Sequence, residues 1–195
     1  MNELITRIHN FVPRNKTQNE IFCLLDSIYY ELSKIIILPP REKVEVKISK
    51  LLKKRSGFFT SKIYRNGQTS MKITLSKSLL IDAPNSGANL AKTWIHENIH
   101  VSSFFCFVTK AHGYERGHGP IFEKKMCLVN LFFKGLGQVR ITHNYPIPNR
   151  YAVTCSKCHC QLRKTINRGP LRRNLYHIFC GGKLVYEPLS EKEKK

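Results

Sequence analysis

Apolar and polar positions along the chain change period several times, and each change marks an element. Ile21, Phe22, Leu24, Leu25, Ile28, Tyr29 and Leu32 recur at three- and four-residue spacing, the stripe of an amphipathic helix. Thr17-Gln18-Asn19-Glu20 ahead of it has the pattern of a capping box, and Pro39-Pro40 closes the segment. Its role is packing, and Cys23 reads as a small core residue. Val44, Val46 and Ile48 then alternate with Glu45 and Lys47, which is a strand pattern. Ile63 and Tyr64 precede Asn66-Gly67, and Met71, Ile73 and Leu75 follow at period two, which predicts a hairpin with a tight turn. A small antiparallel sheet is therefore expected. Residues 1 to 16 read as a short, loosely held lead-in.

Two further helices follow. Leu90, Ala91, Trp94, Ile95, Ile99, Val101, Phe104, Phe105, Phe107 and Val108 make the first apolar on most sides, as expected of a helix buried in the core. Asn85, Ser86 or Asn89 caps it after the loop at Pro84. Ile121, Phe122, Met126, Val129, Phe132 and Phe133 define the second, ended by Gly135 or Gly137.

Inside the first of these helices sits His96-Glu97-Asn98-Ile99-His100. Two histidines four residues apart share one helical face and reach one metal ion. Glu97 is placed to contact water on that ion without binding the ion itself. Burying two imidazoles and a carboxylate without partners is costly, and a metal supplies the partners. The third donor comes from His112, Glu115, His118 or Glu123. His118 is favoured, because Gly117 and Gly119 let the backbone turn around it and Pro120 suits the first turn of the next helix.

Charge narrows the partners. The chain has 195 residues, with 33 Lys and Arg against 13 Asp and Glu, a formal net charge of +20. Such a surface favours a polyanion, nucleic acid first. No stretch approaches the length of a membrane span, and Met1 to Asn10 lacks an apolar signal region, so a soluble intracellular protein without membrane contact is expected. Seven cysteines without a secretion signal read as free thiols and metal ligands. Lys50, Lys53, Lys54 and Arg55 form a basic cluster that either protects a strand edge or contacts phosphates. Nothing in the sequence calls for an oligomer, so a monomer is expected.

From about residue 138 the composition shifts: Lys124 to Tyr186 contains no Asp or Glu. Within it lie Cys155-Ser156-Lys157-Cys158-His159-Cys160 and His177-Ile178-Phe179-Cys180-Gly181-Gly182. Two such clusters across a loop have the spacing of a ribbon-type structural zinc site, with Cys155, Cys158, His177 and Cys180 as ligands. Cys160 or His159 could replace one of them. Tyr151 and Val153 lead in, and Leu184 to Tyr186 lead out, as short strands. Tyr151 and Tyr176 among arginines and lysines suit single-stranded DNA, where cations meet phosphates and rings stack on bases.

These residues resemble the SprT-like zinc metalloproteases, and among them the DNA-dependent, Spartan-type proteases that degrade DNA–protein crosslinks. The likeness is carried by His96-Glu97-x-x-His100 and by Gly117-His118-Gly119-Pro120-x-Phe122. It extends to Ile73-Thr74-Leu75-Ser76-x-x-Leu79, Cys155-x-x-Cys158, Asn167-Arg168 and Cys180-Gly181-Gly182, and spans about residues 17 to 187. Asn98 and Val101 stand where the family often has Met and Ala. The resemblance implies an α+β fold. A minigluzincin-like protease core, a small antiparallel sheet packed with helices, would occupy 17–138. A zinc-ribbon-like DNA-binding subdomain would follow at 139–187, then a charged tail at 188–195. It implies two zinc ions per chain, Glu97 as general base, activation by DNA, self-cleavage, and DNA-bound or crosslinked proteins as substrates in DNA repair. The DNA contacts would come from Tyr151, Arg163, Lys164, Arg168, Arg172, Arg173 and Tyr176, and the location would be nuclear in a eukaryote. A basic, zinc-containing DNA-binding module without protease activity is the alternative.

Overall fold

The computed structural model describes residues 1–83, 87–113, 115, 117–140, 151–164, 176–177 and 180–188. The chain is α+β and divides into two compact units, Met1–Asn144 and Tyr145–Lys195. None of the described helices is long and apolar enough to cross a membrane.

The first unit begins with α1 (Asn2–Asn10) and α2 (Gln18–Ser33). The sequence pattern offers only a loose lead-in at the N-terminus, yet the segment is a helix with Ile8 fully buried and Phe11 behind it. Leu4, Ile5 and Ile8 recur at helical spacing, and packing against α2 and the later metal helix holds this short stripe in place. The capping box of α2 forms as expected: Thr17 Oγ1 accepts from the Glu20 N–H, and the Thr17 N–H donates to the Glu20 carboxylate at 2.8 Å. Ile21, Leu24, Leu25, Ile28, Tyr29 and Leu32 face the core. Cys23 does not: it is exposed, because it falls on the opposite side of that helix.

Strands β1 (Val44–Ser49), β2 (Gly57–Ile63) and β3 (Thr69–Ser76) follow. The hairpin of β2 and β3 is antiparallel, and its turn has Gly67 at φ 80°, the left-handed conformation that glycine adopts without penalty. The sheet is mixed, not antiparallel: β3 inserts between its two predecessors, and β1 runs parallel to it from Val44↔Met71 to Ser49↔Ser76. Alternation reports which face of a strand is buried and carries no information about its neighbour. Met71, Ile73 and Leu75 of the central strand form the floor of the core.

A short helix, α3 (Lys77–Leu80), capped by Ser76, leads to α4 (Gly87–Val108), which is buried along most of its length. At Gly87 the carbonyls of Ile8 and Phe11 occupy the space a Cβ would need, so α1 docks directly on the start of α4. Trp94 Nε1 donates to the Leu25 carbonyl at 2.8 Å, and the Ser102 hydroxyl donates to the Ile37 carbonyl at 2.7 Å. These two bonds pin α4 on either side of its histidines. Helix α5 (Pro120–Phe132) packs against α4, a 3-10 turn at Lys134–Leu136 ends it, and the chain then runs past buried Val139 to Arg140.

The second unit is a three-stranded antiparallel sheet of β4 (Tyr151–Cys155), β5 (Gln161–Lys164) and β6 (Leu184–Pro188), in the order β5-β4-β6. Val153 and Cys155 on β4 are buried.

Candidate metal centres

Helix α4 presents His96 and His100 one turn apart, and the loop before α5 brings His118 to them. His118 Nε2 lies 3.1 Å from His96 Nε2 and 3.1 Å from His100 Nε2. Nitrogens held at zinc's usual bond length around a tetrahedral ion are about 3.3 Å apart. The three donors therefore fit a zinc ion, which takes a fourth ligand besides them. Phe122, fully buried on α5, supports all three rings from one side, with centroid distances of 5.1, 4.5 and 4.6 Å to His96, His100 and His118.

The orientation of each ring has a cause. His96 Nδ1 donates to the Arg140 carbonyl at 3.0 Å, which leaves the Nε2 lone pair facing the other two histidines. That carbonyl is itself held in place: the Asn130 side chain accepts from the Val139 N–H at 2.8 Å and donates to the Val139 carbonyl at 3.1 Å. His118 sits between Gly117 at φ 71° and Gly119, and burial pushes its pKa down, toward the neutral ring a metal needs.

Glu115 is one of the three other residues that might have supplied the third donor, and it does something else. Its carboxylate accepts from the Ile121 N–H at 2.8 Å and the Phe122 N–H at 2.9 Å, so it caps α5 and fixes the turn that carries His118. Gly119 is required there, since a Cβ would lie 2.6 Å from the Glu115 Cδ. Glu123 is exposed in the first turn of α5, and His112 is half-buried with its Nδ1 on the Gly113 carbonyl. Neither joins the donor group.

Glu97, 4% exposed, lies against β2. Burial pushes its carboxyl up to about 8, while the Phe59 backbone N–H that it accepts and the nearby Arg55 charge act in the opposite direction. Gly57 leaves room for it: a Cβ there would lie 2.8 Å from Thr93 Cγ2 and 3.3 Å from Glu97 Cγ. Asn98, the departure from the usual Met, is fully buried and folds back to donate to the Trp94 carbonyl at 2.8 Å.

The second unit gathers Cys155, Cys158, His177 and Cys180, whose donor atoms all lie within 4.8 Å of one another. His177 Nδ1 is 3.4 Å from the Cys158 Sγ and 3.1 Å from the Cys180 Sγ. Cys160 stands outside this group, 3.6 Å from the opposite ring nitrogen, Nε2. His159 is the residue at φ 56° that turns the chain between the two cysteines, and the group excludes it. The Cys158 backbone N–H, joined by that of Lys157, holds the Cys155 thiol down to about 6, which favours the thiolate that ligates metal. Gly182 is needed for close approach, with a Cβ 2.5 Å from the Cys155 Sγ.

Of the residues expected to contact DNA, Tyr151 and Lys164 are backbone register partners across β4 and β5, as are Arg163 and Ala152. Tyr176 is 57% exposed beside Lys183. Arg168, Arg172 and Arg173 lie outside the described residues.

Sequence reasoning missed Glu115 as a cap, Phe122 as a support for the rings, and the Asn130–Arg140 link. Only the first left a signal, an acidic residue just ahead of a proline-started helix.

The sequence profile of the SprT-like family matches residues 19–165. The germ cell nuclear acidic protein of Drosophila melanogaster is 28% identical over 202 residues, covering 92% of this chain and 18% of that relative. The chain thus spans less than a fifth of the relative's length.

Proposed function

Because the chain belongs to the SprT-like family, we propose that it is a zinc metalloendopeptidase that cleaves DNA-bound or DNA-crosslinked proteins. The observation that carries this reading is the convergence of three imidazole nitrogens, two of them from the middle of a helix that also holds a buried glutamate. Zinc held by His96, His100 and His118 would supply a Lewis acid for the scissile carbonyl and lower the pKa of water.

The chain's own residues do the remainder. The Arg140 carbonyl keeps the His96 proton on Nδ1, and Phe122 holds the three rings in place. Glu97 acts as general base: its carboxylate takes a proton from the attacking water and passes it to the nitrogen of the leaving amine. The Phe59 N–H orients Glu97, and Gly57 gives it space. Strand β2 is one of the two outer strands of its sheet, beside Glu97, so an extended peptide could add to that edge through its main chain.

The partner is read from charge. A net charge of +20, together with the basic second unit, fits DNA, and single strands suit the aromatics Tyr151 and Tyr176. We assign the DNA contacts to Tyr151, Arg163, Lys164, Arg168, Arg172, Arg173 and Tyr176, and a structural zinc to Cys155, Cys158, His177 and Cys180. The word nuclear in the relative's name supports a nuclear location. DNA would hold the substrate near the metal centre, so selection comes from proximity more than from a side-chain pocket.

The test incubates the wild type and Glu97→Gln with a DNA-binding protein, with and without single-stranded DNA. Cleavage by the wild type alone, stimulated by DNA, is expected. Equal cleavage by both proteins rejects Glu97 as the base, and cleavage indifferent to DNA rejects the activation.

A further inference from the structure

The loop between β1 and β2 is the part of the first unit that the proposed chemistry leaves unused. Lys50, Lys53, Lys54 and Arg55 are all exposed on it, and none takes part in an ion pair among the described residues. Leu51 is 89% exposed, the most exposed large apolar side chain described. Leu51 thus stands out into water between cations that make no ion pair among the described residues.

The loop is anchored at both ends. The Ser76 hydroxyl donates to the Leu52 carbonyl at 2.5 Å, the Ser76 N–H donates to the Ser56 carbonyl at 2.7 Å, and Ser49 Oγ accepts from the Leu51 N–H. Ser56 is buried, and the next residue is Gly57, whose backbone lies against Thr93 and Glu97. The cationic loop therefore runs directly into the backbone that lies beside Glu97.

We propose that this loop is a single-stranded DNA contact belonging to the protease unit itself, with Lys53, Lys54 and Arg55 on phosphates and Leu51 against a base. It rests on the DNA-dependent reading above and adds a second point of attachment, separate from the ribbon. Adjacent cations suit the continuous negative charge of a strand, and a protruding aliphatic side chain suits the apolar face of an unstacked base. A strand held here lies next to the backbone at Gly57, so a protein attached to that strand is brought toward Glu97.

The experiment measures binding of a labelled single-stranded oligonucleotide to the full chain by fluorescence anisotropy over a range of salt. Three phosphate contacts on a single strand contribute a slope of about 2 in log K against log salt. The variant with Lys53→Ala, Lys54→Ala and Arg55→Ala should lose that slope, so a fourfold rise in salt costs the wild type about 16-fold more affinity than it costs the variant. Leu51→Ser should weaken binding severalfold with the slope unchanged. All four residues are exposed, so the thermal midpoint should not move.

An unchanged slope in the triple variant overturns the proposal. So does binding to phosphatidylserine vesicles that Leu51→Ser abolishes while oligonucleotide affinity stays at the wild-type value. Failure of the protease reading would show instead as no cleavage by the wild type, which leaves these isotherms intact.

Discussion

Replacing Asn130 with alanine tests whether the metal centre is held by the chain as described. The change removes two half-buried hydrogen bonds, at 2.8 and 3.1 Å, between α5 and the main chain of Val139. At about 1 kcal/mol each, the loss is about 2 kcal/mol of stability. Its consequence reaches further. Without Asn130 the Val139–Arg140 segment loses its anchor, the Arg140 carbonyl leaves His96 Nδ1, and the ring is free to change tautomer or turn. Loss of such an outer partner typically weakens metal binding about 10- to 100-fold. Zinc affinity is read by competition with a chromogenic chelator. Cobalt substitution separates the two centres, since only the cysteine site gives thiolate charge-transfer bands. Ile28→Ala, on α2, is the control: it should cost about 2–5 kcal/mol of stability while leaving zinc affinity unchanged. Wild-type zinc affinity in Asn130→Ala, or an equal loss in Ile28→Ala, would refute the link from Asn130 to His96.

Gly57→Ala should press on Thr93 and Glu97 without touching a histidine, so zinc stays bound while kcat falls, roughly 10- to 100-fold for a misplaced base. Burial holds the Glu97 proton to about pH 8 in the folded, metal-free protein, against an ordinary carboxyl value of 4.5. Folding therefore gains most from this group below about pH 4.5 and loses that contribution as pH rises toward 8. Chemical denaturation of metal-free wild type should show that decline relative to Glu97→Gln, and parallel curves would contradict it. Metal analysis should find two zinc ions per chain in the wild type and one in Cys155→Ser, with the histidine-site cobalt spectrum retained. Gly119→Ala should displace Glu115 from the start of α5 and weaken the histidine site, as measured by the same competition assay.

Much of the site was legible before any coordinates. His96, His100 and His118 come together as expected, because an i, i+4 pair on a helix and a histidine between glycines are local facts. The ribbon donors were legible as a set, but choosing between His177 and Cys160 was not. That choice depends on which ring nitrogen faces Cys158 and Cys180, a matter of how two distant turns meet. Glu115 illustrates the converse. It has the chemistry of a ligand and sits near the histidines in sequence, yet its oxygens are taken by the amides of α5.

Sequence alone determined the period of α2, α4 and α5, the capping box at Thr17, the buried character of α4 and the two histidines that share one of its faces. Each of these follows from side chains interacting with near neighbours or with water. Tertiary structure decided that β3 lies between β1 and β2, that α1 docks at Gly87, and that a carbonyl at Arg140 orients His96. Those outcomes are made by backbone groups, which every residue carries alike, so residue type cannot announce them; only the approach of distant segments selects which carbonyl and which strand edge are used.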